Sequence, residues 1–192
     1  MQVMKEDMIK ELTSEFDEIS MSGRMAYVIM CVEAFLEEMY PEKDWTIVAE
    51  AMWKATEMNR GDWPEIYAGY IPSVFFSYEE YGSDLVDSYP RETYDILRDL
   101  FDGITSGIED DSEDLLNYML DKPHEMAMVY EGTGIGDGKE SIEIIRAAEK
   151  VLTDHDIPLP DYHKVVFSAY GERRGWGDSF NGRFLSVILR ER

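Results

Sequence analysis

The segment from Arg24 to Tyr40 constrains this chain more than any other, because nearly every position is apolar until Glu33 and Ala26 to Val32 is apolar without a break. An amphipathic surface helix shows one apolar stripe and one polar face. A helix apolar on almost all sides instead belongs at the centre of a bundle. Seven apolar residues fall far short of the ~20 needed to cross a bilayer. Tyr40-Pro41 closes the segment, since the residue before a proline is pushed out of the helical region.

Other helices are predicted to pack around that centre. Residues 3–19 place Met8, Ile9, Leu12, Phe16 and Ile19 on one face of an amphipathic helix. Ser20, Met21, Ser22 and Gly23 interrupt it, and either serine can cap the next helix. Asp44 is placed to cap a third helix with Trp45, Val48, Ala49, Met52 and Trp53 as its buried stripe. Asp62-Trp63-Pro64 reads as a cap followed by a proline pre-set for the first turn. Residues 70–81 are aromatic-rich and broken by Pro72, so short helical pieces are expected. A helix after Pro90 carries Tyr94, Leu97, Leu100, Phe101 and Ile104. Another opens at Ser112 with Leu115, Leu116, Met119 and Leu120, and Pro123 is expected to stop it. Residues 126–130 and 184–189 fit either strand or helix. Residues 139–154 repeat Ile142, Ile145, Ala148, Val151 and Leu152 at helical spacing, and a last helix is expected from Asp161 through Val165, Val166 and Ala169. No βαβ alternation or fixed-period repeat is present. The expectation is one mostly all-α domain over 1–192, a bundle of seven or more helices with room for one or two short strands near the C-terminus.

Few motifs carry chemistry. The glycines at 132, 134, 136 and 138 precede a helix, as phosphate-cradling loops do. A phosphate loop would need glycine at Thr133 and Ser or Thr at Glu140, and the dinucleotide pattern would need glycine at Asp137. A flexible loop with Asp137 or Ser141 as helix cap is the plainer reading. Asp154-His155-Asp156 is the densest group of metal-ligand types, but neighbours in a helix point in different directions. A helix C-terminus suiting the His155 cation is the alternative. Asp110 to Asp114 lacks the ligand alternation of a calcium loop. Cys31 lies mid-helix among Val28, Met30, Val32 and Phe35, where a buried inert thiol is expected. One cysteine implies no disulfide framework. No catalytic residue, cofactor or metal is assigned, and the chain is read as a non-enzyme. A carboxylate- or metal-dependent enzyme on a helical bundle and a self-associating structural module are the alternatives.

Charge is the informative feature. The 192 residues hold 41 Asp+Glu and 18 Lys+Arg, for a net charge of -23. Residues 161–192 hold six basic and four acidic groups, net +2, leaving 12 basic and 37 acidic in 1–160, net -25. From Tyr78 to Asp114, 13 acids meet only Arg91 and Arg98, net -11. Such a chain is unsuited to nucleic acid or an anionic membrane surface. It suits a basic protein. Glu92, Asp95, Asp99 and Asp102 are spaced to share one helix face opposite Leu97, Leu100 and Phe101. Asp84 and Asp87 lie before this ridge, and Glu109, Asp110 and Asp111 after it. Tyr78, Tyr81 and Tyr89 interleave it as candidate desolvated anchors. A solvated acidic face is the bland alternative.

Glu38-Met39-Tyr40-Pro41 ending the apolar helix, the tryptophans Trp45, Trp53 and Trp63, and Phe167-Ser168-Ala169-Tyr170 followed by Gly175-Trp176-Gly177-Asp178-Ser179-Phe180 together give a resemblance. The chain resembles the mostly helical immunity proteins of bacterial polymorphic toxin systems. That resemblance implies a cytoplasmic inhibitor whose partner is one cognate toxin, with no catalytic residues to carry over. A basic toxin domain, a nuclease for instance, would fit the acidic ridge. Trp176, between two glycines, is either an exposed anchor beside Arg173 and Arg174 or a pin holding the last loop to the core.

Overall fold

A computed structural model describes residues 15–57, 62–78, 81–82, 89–104, 111–129, 135 and 138–190, with side chains of the sixth helix described from 115 onward. Seven α-helices and no strand are present among them: α1 Met21–Met39, α2 Thr46–Glu57, α3 Trp63–Ala68, α4 Pro72–Phe75, α5 Arg91–Phe101, α6 Asp111–Val129 and α7 Lys139–Asp154. The all-α expectation is met. No helix among the described residues is long and apolar enough to cross a membrane.

Helix α1 is the centre, packed by α7, α2 and α6. Met21 to Glu33 are all buried. Ser20 caps it by accepting from the Gly23 amide at 3.3 Å, so the helix runs straight through Ser22-Gly23 and begins earlier than the apolar pattern suggests. A Cβ on Gly23 would stand 2.5 Å from Ile19 Cγ2, so glycine permits the close approach of the entering chain. Asp44 Oδ1 accepts from the Thr46 amide (3.1 Å) and hydroxyl (2.6 Å), starting α2 as expected.

Four expectations need correction. The first helix, whose residues 1–14 lie outside the described set, does not extend to Ile19. Phe16–Glu18 is a 3-10 turn, and Ile19 is extended and bridges antiparallel to Ala169. Pro123 does not stop α6, which continues to Val129 and so settles residues 126–129 as helix. Pro123 deprives the Met119 carbonyl of its helical donor. Yet it sits on the buried stripe with Leu116, Met119, Leu120 and Ala127, and packing on α1 and α7 outweighs the local loss. The helix expected from Asp161 is a single 3-10 turn, Tyr162–Lys164, with Asp161 Oδ1 accepting from the His163 amide at 3.1 Å. Of residues 184–189, Phe184 ends a single 3-10 turn, Gly182–Phe184, and the rest are turn, bend or irregular, with neither an α-helix nor a strand.

The reason for these last departures is that the C-terminal segment is held by α1. Its partners there are polar groups buried in the core. Glu33 Oε1 accepts from Trp53 Nε1 (2.7 Å) and Ser186 Oγ (2.6 Å), and Oε2 accepts from the Val187 amide (2.8 Å). Ser20 Oγ meets Ser168 Oγ at 2.6 Å, and Ser22 bonds the Trp176 carbonyl through its amide (3.0 Å) and hydroxyl (2.8 Å). Trp176, half-buried, therefore pins the last loop to the core. Arg24, fully buried, donates Nε to the Phe16 (3.0 Å) and Ile19 (2.9 Å) carbonyls and NH1 to the Gly138 carbonyl (2.8 Å) and Ser141 Oγ (2.7 Å).

Replacing Glu33 with Ala strands several buried donors, each worth about 1–3 kcal/mol. We expect Glu33→Ala to lose about 3–5 kcal/mol in urea unfolding and to deprotect residues 180–190 in hydrogen exchange before the rest of the chain. Uniform deprotection would remove Glu33 as the specific tether. Glu149, buried on α7, accepts from the Tyr27 hydroxyl at 2.8 Å through Oε1, while Oε2 has no hydrogen-bond partner among the described residues. Burial raises its pKa above the ordinary 4.5, against the lowering effects of the Tyr27 bond and Arg146. The folded state thus holds a proton that the unfolded chain releases above 4.5, and stability falls as pH rises through that window. Glu149→Gln is expected to gain stability over wild type progressively above pH 4.5, read from unfolding midpoints; a pH-independent difference would count against it.

Candidate partner-binding surface

Helix α5 is amphipathic. Pro90 supplies an extended entry (φ -68°, ψ 160°), and Glu92 in the first turn and Arg98 in the last suit the helix dipole. Tyr94, Leu97, Leu100 and Phe101 are buried on one side. Beneath them lies an aromatic layer. Tyr94 stacks on Phe75 at 4.9 Å and meets Tyr81 at 5.4 Å, while Phe101 contacts Phe75 (5.6 Å) and Trp45 (6.5 Å). Burying that side turns the other outward.

Glu92, Asp95 and Asp99 are exposed along the helix, and Asp102 is exposed at its C-cap. Ten residues of helix spread these carboxylates over about 15 Å. The ion pair on this face among the described residues is Arg91 Nε with Asp95 at 3.8 Å, both side chains exposed. Lys43 Nζ donates to the Asp102 carbonyl at 3.0 Å, leaving that residue's carboxylate outside the contact. The four carboxylates of the ridge thus have Arg91, Arg98 and Lys43 close by, with Asp95 in the ion pair to Arg91. Asp84, Asp87, Glu109 and Asp110 lie outside the described residues, as does the Asp111 side chain, although Asp111 begins α6.

The three tyrosines separate. Tyr78 is 37% exposed and remains available as an anchor. Tyr81 is half-buried, donates to the Tyr89 carbonyl at 3.1 Å and has the Arg91 guanidinium 5.6 Å above its ring. Tyr89 is buried, donates to the Gly69 carbonyl at 3.3 Å, and meets Tyr70 edge-on at 5.5 Å. It belongs to the core rather than to the accessible surface, and burial raises its phenol pKa. A Cβ on Gly69 would lie 2.7 Å from its ring. Sequence reasoning missed Ile96, which is 45% exposed amid the carboxylates. The signal was present: Ile96 lies four residues after Glu92 and three before Asp99, on their face and off the Tyr94–Leu97–Leu100 stripe.

Other candidate centres are weaker. No group of three metal-ligating side chains occurs among the described residues. His155 C-caps α7, its Nδ1 2.9 Å from the Val151 carbonyl, and Asp154 pairs with Lys150. Gly138, left-handed at φ 66°, occupies the N-cap of α7, with Ser141 Oγ donating to its carbonyl at 2.6 Å. Cys31 is buried, and burial pushes its thiol pKa up. A shallow groove of about 350 Å³ beside α4 and α6 contains one His124–Asp121 pair at 3.2 Å.

No protein-family model matches this chain, and no curated protein or solved structure is significantly similar to it.

The two ends of the tyrosine series give a sharp expectation. Tyr89→Ala should cost about 3–5 kcal/mol because it opens a core cavity, whereas Tyr78→Ala should change stability by less than about 0.5 kcal/mol. Thermal or denaturant unfolding measures both, and similar losses would mean that Tyr78 is packed too.

Proposed function

We propose that this protein is a binding module rather than an enzyme: a cytoplasmic immunity protein that neutralises a basic toxin domain, such as a nuclease, by covering its active cleft. The observation that carries the reading is the α5 ridge, on which Glu92, Asp95, Asp99 and Asp102 stand exposed on one edge with Ile96 among them. Solubility alone needs a net charge of roughly 2–8 units in a small domain, and the chain carries -23. Excess like charge costs stability through self-repulsion and speeds encounter with an oppositely charged partner. Carboxylates in a row on a rigid helix can occupy the positions that nucleic-acid phosphates take in a basic cleft. Exposed Tyr78 and Ile96 add apolar area that desolvates on contact, which is where hot-spot energy resides. The short motifs around Tyr40-Pro41, at Trp45, Trp53 and Trp63, and at Phe167 to Phe180 resemble those of helical immunity proteins, and the partner would then be one cognate toxin.

The test is affinity capture from lysate of the source organism with wild-type protein and with a Glu92→Lys, Asp95→Lys, Asp99→Lys variant as baits. Wild type should retain one stoichiometric basic protein whose capture falls as salt rises. The variant should associate at least about tenfold more slowly at low salt while unfolding like wild type. Equal retention by both baits would remove α5 from the mechanism. Capture of an acidic partner would remove the reading itself.

A further inference from the structure

Helix α4 has two neighbours. Phe75 and Phe76 pack against α5, with Phe75 4.9 Å from Tyr94 and Phe76 6.3 Å from Phe101. Ser73 and Val74 instead line, together with α6, the groove of about 350 Å³. The α6 wall follows from spacing, since Asn117, Asp121 and His124 fall four and three residues apart on one helix face. Asn117 Oδ1 accepts from the Ser73 amide at 2.7 Å, which ties the first turn of α4 to α6 and fixes the width of the groove. Buried Ile71 and half-buried Val74 give an apolar lining, and Tyr118 adds an exposed ring. Asp121, half-buried, has its Oδ1 3.2 Å from His124 Nδ1, the one hydrogen bond of either side chain among the described residues. The neighbouring cation, Lys122, is occupied: its Nζ lies 3.8 Å from the Tyr118 ring centre and pairs with Glu125 at 2.5 Å.

We infer that this groove takes an arginine side chain of the partner protein, which rests on the reading of that partner as basic. Charge selects a cation. Asp121 is the carboxylate lining the groove, and a neutral His124 that donates Nδ1–H to it presents Nε2 as an acceptor beside it. The Ser73 hydroxyl, on the α4 side, is a further acceptor. The lining selects which cation. An ammonium is a compact, strongly hydrated charge that keeps its water in so shallow a site. A guanidinium is more weakly hydrated, lies flat on apolar and aromatic surface, and offers a fork of N–H donors to more than one acceptor. Ile71, Val74 and the Tyr118 ring form such a surface next to the acceptors. The Ser73–Asn117 bond sets the two walls before a ligand arrives, which lowers the cost of ordering them on binding. Helix α4 touches both the groove and α5, so the site adds a side-chain pocket to the acidic edge already assigned to the partner.

Titration of the isotopically labelled full chain with N-acetyl-arginine amide, followed by amide NMR shifts, tests this. The probe is added at low salt and about pH 8, above the ordinary imidazole range, and the uncharged citrulline analogue of the same shape is the control. Saturable shifts are expected, confined to the amides of Ser73, Val74 and residues 117–124, with half-saturation on the order of millimolar for so small a probe. The citrulline analogue should bind at least about fivefold more weakly. Asp121→Asn, which keeps the shape and drops the charge, should weaken arginine binding by a similar factor, whereas Glu92→Gln combined with Asp99→Asn, which removes acids from α5, should leave it unchanged. Circular dichroism establishes that each variant is folded. Shifts that do not saturate and spread over the acidic surface overturn the inference. So does equal binding of the citrulline analogue, or a folded Asp121→Asn chain that binds like wild type. The probe contains no toxin, so its failure leaves the α5 reading standing, while capture of an acidic partner from lysate would remove the basic-partner reading even where the titration succeeds.

Discussion

Burial of α1 on all sides from Met21 to Glu33 is the constraint on which the rest of the structure depends. A buried polar group costs free energy unless it is hydrogen-bonded, and α1 and its cap carry Ser20, Ser22, Arg24, Tyr27 and Glu33 into the core. Their partners come from far along the chain: Ser168 and Trp176 for the serines, Gly138 and Ser141 for Arg24, Glu149 for Tyr27, and Ser186 and Val187 for Glu33. Each pairing is compulsory once the helix is central. Together they fasten the entry to α7 and the whole C-terminal segment, which has little regular structure of its own. Residues 162–190 are ordered by what they satisfy on α1 rather than by intrinsic helix propensity.

The same arrangement sorts the surface. Helix α5 buries Tyr94, Leu97, Leu100 and Phe101 on an aromatic layer and turns its carboxylates outward. The C-terminal segment, spending its backbone donors and polar side chains on α1 and α2, leaves Phe167 and Phe184 outside. One chain thus presents an acidic edge and a cluster of half-exposed phenylalanines on different elements.

Much of this was legible in the sequence because periodicity survives any tertiary context that merely buries one face. The central helix, the stripes of α2, α5 and α7, and the shared face of Glu92, Asp95 and Asp99 all follow from 3.6-residue spacing. Local rules failed where a tertiary partner outbid them. Pro123 reads as a stop from its missing N–H, but its ring falls on the buried stripe of α6. Val165 and Val166 read as a helix, but the chain there must run toward the Ile19–Ala169 bridge. Tyr89 was indistinguishable from Tyr78 by composition, and the core beside Gly69 separated them.

By itself, then, the sequence determined that the chain folds as helices around one apolar core and that Glu92, Asp95 and Asp99 share one helix edge, because both are properties of short-range spacing. Tertiary structure alone decided which ionisable groups lie inside, where the last thirty residues run and which aromatics face solvent. Those outcomes depend on hydrogen bonds between residues more than a hundred positions apart, such as Glu33 with Ser186 and Arg24 with Gly138, and no local pattern encodes such partners.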